Sequence, residues 1–177
     1  MQIIQYPHPA LIKPAKAITT ITPKIKQLAT DMLSTLVPNP NNPIGVGLSA
    51  NQVNQLHRLF IVKMPNEKYE ICLNPQILKT SSKMLSQLPE KNQFLEGCLS
   101  FPRFYGFVDR PVKIKVSYQT LSGLTKTIRL AAPYSIYFQH ENDHLNGVLF
   151  IDYLKKSAGQ LYFGSGRDQL KPIKNPF

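Results

Sequence analysis

Apolar residues recur along this chain in patterns that separate helix from strand. Ile25, Leu28, Met32, Leu33 and Leu36 fall at helical spacing after Thr22-Pro23, a capping residue followed by proline at the first helical position. The spacing predicts a helix over about 23–36. Leu59 to Val62 and Tyr69 to Leu73 are short runs of strand length. Val112, Ile114, Val116 and Tyr118 alternate with polar residues, the period of a strand with one face buried. Ser122-Gly123 marks a turn, and Thr125 to Leu130 is the returning strand. Pro133 can open a second helix, which Asn146-Gly147 would close. Pro38 to Pro43 is expected to be an irregular loop, because alternating prolines and asparagines sustain neither helix nor sheet. Residues 80 to 93 are polar and expected at the surface. Little regular structure is expected after Leu154, where Gly164, Gly166, Pro172 and Pro176 lie. No internal repeat is visible. The expected fold is α+β: mostly antiparallel strands around a central helix that opens after Pro133, with another helix near the N-terminus. Residues 1–154 form the expected domain and 155–177 a basic tail.

Composition narrows the classes. A chain of 177 residues with 42% hydrophobic positions suits one domain with its own core. No apolar run is long enough to span a membrane. Met1 to Thr20 carries Pro7, Pro9 and Pro14 and no continuous apolar stretch, so a secretory signal is not expected and a cytoplasmic location is. Two cysteines, Cys72 and Cys98, are too few for a disulfide-stapled fold. Cys72, inside an apolar strand pattern, is expected to be a small buried hydrophobe. The net charge of +11 fits a solvated basic surface or one drawn to a polyanion such as RNA; charge alone does not choose.

Chemistry enters with His140-Glu141-Asn142-Asp143-His144. Residues four apart on a helix share a face, so His140 and His144 can bind one metal ion. Glu141, one step around, can serve as general base, as in the His-Glu-x-x-His arrangement. The plain alternative is a polar helix with two chance histidines; Ile136, Phe138 and Gly147 favour a real helix at this place. A catalytic metal needs a third protein ligand and an open position. The common zinc proteases take theirs downstream, but here Phe150 occupies the third histidine position and no glutamate follows Glu141. The missing ligand is therefore expected upstream. Cys98, in Glu96-Gly97-Cys98-Leu99-Ser100, is the best candidate.

Three motifs together resemble the peptide deformylase family: Gly45-Val46-Gly47-Leu48-Ser49-Ala50-Asn51-Gln52, Glu96-Gly97-Cys98-Leu99-Ser100, and Gln139 to Leu145 with Gly147 following. They stand in the family's order, and the resemblance covers roughly residues 3 to 154. It implies a hydrolase that removes the formyl group from the N-terminal formylmethionine of newly made proteins, releasing formate. Cys98, His140 and His144 would hold the metal, usually ferrous iron, with zinc or nickel as guests in purified protein. Such a metal makes hydroxide available near neutral pH. Glu141 would move the proton. The Gln52 side-chain amide and the Leu99 backbone N–H would stabilise the oxyanion. Val46, Gly47 and Gly97 would hold the substrate backbone as an added strand. Asp143 is expected to pair with Arg110 behind the metal helix, the alternative being a solvated surface pair.

The chain departs from the family in two places. Ser49 replaces a usual alanine, a change expected to be silent. Before His140 the family carries small or aliphatic residues that line a methionine pocket. Ile136 suits that pocket; Tyr137 would narrow it if it faces inward and would leave it unchanged if it packs elsewhere. Two other readings compete. Another His-Glu-x-x-His protease or amidase leaves Cys98 and Gln52 unexplained. A non-enzymatic basic module that binds RNA explains the charge and nothing else. Expected partners are formylated nascent peptides and, transiently, the ribosome through Lys155, Lys156, Arg167, Lys171 and Lys174; neither DNA nor a membrane is expected.

Overall fold

A computed structural model describes residues 1–37, 45–165 and 169–177. The expected loop at 38–43 and Arg167 lie outside the described residues. The order of elements is α1 (Pro23–Leu36), β1 (Gly47–Ser49), β2 (Leu59–Lys63), β3 (Tyr69–Thr80), β4 (Glu96–Cys98), β5 (Phe101–Gly106), β6 (Lys113–Gln119), β7 (Thr125–Ala131), α2 (Tyr134–Leu145), α3 (Phe150–Ser157), β8 (Leu161–Phe163) and β9 (Lys171–Ile173). The fold is α+β, with every pair of named strands antiparallel.

Period-two alternation in β6 decides how the larger sheet is covered. Ile114, Val116 and Tyr118 point to one face, where they meet Phe60, Val62, Cys72 and Leu130 and the α2 residues Phe138 and Leu145. Phe138 is fully buried, edge-on to Phe60 at 4.9 Å between ring centroids. The opposite face carries Leu48, Leu59, Ile61 and Leu73, covered by Ile25, Ala29, Met32 and Leu36 of α1. The sheet, in the order β1-β2-β3-β6-β7, thus lies between two helices. Thr22 caps α1 by accepting from the Ile25 N–H at 3.4 Å. Gly147 closes α2 at φ +72°, where an added Cβ would fall on the Ile12 carbonyl. Cys72 is a free, buried thiol within the core.

Several elements go beyond the sequence expectation. β3 continues past Leu73 to Thr80, because register shifts between Leu73 and Gln76 and between Ile77 and Lys79 absorb Asn74 and Pro75. Asn74, at φ 47°, bonds the Ile18 N–H and carbonyl, each at 2.8 Å, and so pins the N-terminal segment. The segment at 80–93 holds two short 3-10 turns and buries Leu85. A second sheet, in the order β4-β5-β8-β9, and the helix α3 also appear. The tail, where little regular structure is expected, supplies β8 and β9. These three-residue strands form by pairing, β8 onto β5 and β9 onto β8, not by any alternation of their own. Phe177 packs against Tyr6, Phe101 and Phe104 at 5.0–5.3 Å, which fastens the chain end to the second sheet. Among the described residues no helix is long and apolar enough to cross a membrane.

Candidate metal centre

Helix α2 sets His140 and His144 one turn apart on its buried face, with ring centroids 5.0 Å apart. Cys98 arrives from the other sheet. Pairing between β4 and β5 shifts register between Gly97 and Cys98, the kind of irregularity that re-aims a side chain. Its Sγ lies 3.2 Å from His144 Nε2. One ligand atom from each of Cys98, His140 and His144 falls within 4.8 Å of the others. One cysteine sulfur and two imidazoles at that separation form a donor set that fits a single transition-metal ion.

A buried ionic network stands behind the helix. Glu96 is 6% exposed and Arg110 is 4% exposed, so neither can rely on water. Both Nε and Nη2 of Arg110 donate to Glu96, the latter to Oε2 at 2.9 Å. Nη1 of Arg110 donates to Asp143 Oδ2 at 2.8 Å. The expected Arg110–Asp143 pair is therefore present, and its guanidinium is inside the protein, 5.0 Å from the Tyr153 ring centroid. Burial would raise the Glu96 carboxyl, but the charge and hydrogen bonds of Arg110 and His140 outweigh it and hold Glu96 below the ordinary carboxylate range. Glu96 Oε2 lies 2.8 Å from His140 Nδ1. Burial would lower His140, but its contacts with Cys98 and Glu96 outweigh that and hold it well above the ordinary histidine range while no metal is bound; a metal at Nε2 would take the place of one proton and leave the other on Nδ1, held by Glu96. Burial, with the charges of His140 and Arg110, keeps His144 well below the ordinary histidine range and hence neutral. The structural part played by Glu96 was not read from the sequence; its only signal there was a lone acid beside Gly97 and Cys98.

Glu141 projects beside the cluster, 4% exposed. Burial pushes its carboxyl up to about 7, against the pull of His140 and of a hydrogen bond from Ser49. A base near neutrality is matched to proton transfer at working pH. Gly47 makes room for it: a Cβ there would overlap the Glu141 carboxylate. Ser49, whose replacement of alanine is expected to be silent, has its hydroxyl 2.7 Å from Glu141 Oε2.

Gln52 sits in the 3-10 turn Ala50–Val53. Its Oε1 accepts from the Ser49 N–H at 2.9 Å, which turns Nε2 toward Ser100 Oγ at 3.2 Å and Cys98 Sγ at 3.4 Å. Leu99 lies in the tight turn between β4 and β5. β1 and β4 are each the edge strand of their own sheet. Val46 precedes β1, its carbonyl accepting from the Lys63 N–H at 2.8 Å. Ile136 is buried with Leu85 and Val112, and Phe94 and Phe107 pack around them. Tyr137 does not join that group; it packs on the core of the larger sheet, edge-on to Tyr134 at 5.9 Å.

Arg110→Ala would leave Glu96 buried without its counter-charge. The expected result is a loss of about 3–5 kcal/mol in chemical denaturation. Metal affinity, measured by chelator competition, is expected to weaken by about 10- to 100-fold. Unchanged affinity would show that the network does not orient His140.

Known proteins resemble this chain in sequence and fold. The family model described as polypeptide deformylase matches residues 1–160. The chain is 40% identical over 156 residues to the peptide deformylase of Endomicrobium trichonymphae, covering 87% of this chain and 86% of that one. It is 36% identical over 157 residues to that of Acinetobacter baumannii strain SDF, covering 87% and 82%. Among solved structures, the Thermotoga maritima peptide deformylase superposes with a TM-score of 0.75 at 34% identity, over 86% of this chain and 95% of that one. The Plasmodium falciparum peptide deformylase, solved with an inhibitor, gives 0.74 at 33% identity, over 89% and 93%. Sequence and fold agree over nearly the whole length: the chain belongs to the polypeptide deformylase family, hydrolases that remove N-formyl groups from nascent proteins.

Proposed function

We propose that Cys98, His140 and His144 hold the metal ion of this deformylase, that Glu141 is its general acid–base, and that α2 is its metal-binding helix. The observation that carries this reading is the convergence of the three ligand atoms within 4.8 Å, with a buried carboxyl beside them. The ligand set suits iron and zinc alike; the family resemblance favours ferrous iron in the cell, with zinc or nickel as guests in purified protein. The metal, when bound, supplies a Lewis acid that makes a hydroxide nucleophile available near neutral pH.

The chain's own residues account for the remaining steps. Edge strands β1 and β4 can take the formylated peptide between them as an added strand, with main-chain contacts from Val46, Gly47 and Gly97. That mode reads the backbone and leaves most side chains of the nascent chain unselected. Glu141 accepts a proton from the attacking water as a C–O bond forms at the formyl carbon. The oxyanion is met by the Gln52 Nε2 amide and the Leu99 backbone N–H. The C–N bond then breaks, and Glu141 returns the proton to the leaving amine. The products are formate and a free N-terminus.

The methionine side chain is assigned to the apolar group around Ile136. Tyr137 packs against Tyr134, so it leaves that group open and a preference for methionine is retained. Residues 1–154 are assigned as the catalytic domain and 155–177 as a basic tail, in the cytoplasm. Lys155, Lys156, Lys171 and Lys174 are exposed on this tail and are suited to transient contact with ribosomal RNA.

Formate release from formyl-Met-Ala-Ser by anaerobically prepared, iron-loaded protein tests the site. Glu141→Ala and Cys98→Ala are each expected to lower the rate by at least about 100-fold, and formyl-Leu-Ala-Ser to react more slowly than the methionine peptide. Full activity in Glu141→Ala would remove the acid–base assignment, and equal rates on the two peptides the pocket assignment. For the tail, charge reversal is preferable to truncation, because β8 and Phe177 are part of the fold. Changing the four lysines to glutamate is expected to abolish co-sedimentation with ribosomes at low salt; unchanged co-sedimentation would place the contact elsewhere.

A further inference from the structure

We propose that Ser49 is a positioning residue that holds the Glu141 carboxylate through its side-chain hydroxyl. The inference rests on Glu141 being the general base and adds a residue that departs from the alanine usual at this place. Ser49 is fully buried and Glu141 nearly so. A serine that opens a helical turn ordinarily spends its hydroxyl on that turn's own backbone. Here the Gln52 side chain also fastens the turn, its Oε1 accepting from the Ser49 N–H at 2.9 Å. The hydroxyl proton is turned to Glu141, with Oγ 2.7 Å from Oε2 and 2.9 Å from the main-chain carbonyl oxygen of the same residue.

One hydroxyl proton cannot serve both acceptors at once, and this matters for a base that must gain and lose a proton. With Glu141 ionised, the hydroxyl donates to Oε2. With Glu141 protonated, the carboxyl O–H donates to Ser49 Oγ, and the hydroxyl turns to the Glu141 carbonyl. Both states are hydrogen-bonded without movement of a heavy atom, only rotation about the Cβ–Oγ bond. Gly47 leaves the space on the carboxylate's other side, and Ser49 fixes where within that space the carboxylate stands. Ser49 thus serves both halves of the machinery. Its N–H orients Gln52, which any residue's backbone could do; its hydroxyl orients Glu141, which alanine cannot.

Ser49→Ala isolates the second contact, since it keeps the turn and the Gln52 bond and installs the family's usual residue. On iron-loaded protein with formyl-Met-Ala-Ser, it is expected to lower kcat by about 3- to 10-fold with KM unchanged within about twofold. Glu141→Asp retracts the carboxylate from Ser49. In that background Ser49→Ala is expected to change kcat by less than about 1.5-fold, because the interaction is already lost. Independently of turnover, the side-chain carboxyl 13C resonance of Glu141 is expected to shift in Ser49→Ala while that of Glu96 stays in place. A native kcat in Ser49→Ala overturns the proposal, as does a loss of the same size in the Glu141→Asp background or an unmoved Glu141 resonance. Formate release that survives Glu141→Ala would instead overturn the assignment of the base, an outcome the same set of variants distinguishes.

Discussion

Ionisable groups cannot be buried cheaply, and the region around α2 is built on that constraint. Glu96, Arg110, His140, Glu141 and His144 are all nearly inaccessible. A charge in such a place is stable only where other charges and donors answer it. The Arg110 fork answers Glu96, Asp143 takes the remaining guanidinium arm, and Glu96 in turn holds His140. Each link constrains the next, so the imidazole is aimed before any ligand arrives. Glu141 stands outside this network of opposite charge. With a serine hydroxyl and no cationic side chain bonded to it, it sits near neutrality where Glu96 is held ionised. Two carboxyls on either side of one histidine thus take different protonation behaviour from their surroundings.

The two sheets supply the other half of the design. Each contributes an edge strand with a short motif, and the helix between them contributes the histidines. A ligand cluster drawn from the second sheet and from a helix packed on the first makes the site depend on the mutual placement of the two sheets. That placement is secured by unglamorous contacts: the Ile4 N–H on the Gln52 carbonyl, the Tyr6 N–H on that of Ser100, and the ring of Phe177 against Tyr6 and Phe101. The C-terminal segment therefore supports the second sheet even though its own sequence carries little pattern.

Legibility in the sequence followed the length of each pattern. α1 was readable because five apolar positions repeat over four turns behind a cap, and β6 because four residues alternate without a break. β4, β5, β8 and β9 were not, since strands of three to six residues, all but β8 interrupted by glycine or proline, are specified by their pairing partners. α3 was missed because its one buried face amounts to Phe150, Ile151 and Leu154, too few repeats to show a period. Within the site, His140 and His144 were legible because helical geometry joins positions four apart, and Cys98 because downstream ligands were missing. The hydrogen bonds of Ser49 and Glu96 were not, because each reaches a partner on a distant part of the chain, and nothing in local spacing says which buried acceptor a hydroxyl or carboxylate will find. The placement of Tyr137 was not legible either, because which face of α2 meets the larger sheet is set by tertiary packing.

The central claim is that one metal is held by one sulfur and two imidazoles from Cys98, His140 and His144. X-ray absorption at the metal edge of the anaerobic, iron-loaded protein tests it most directly. The account expects a sulfur and two nitrogen donors around the iron, with the sulfur scattering lost in Cys98→Ser. Coordination without sulfur, or a spectrum that Cys98→Ser leaves unchanged, would contradict it.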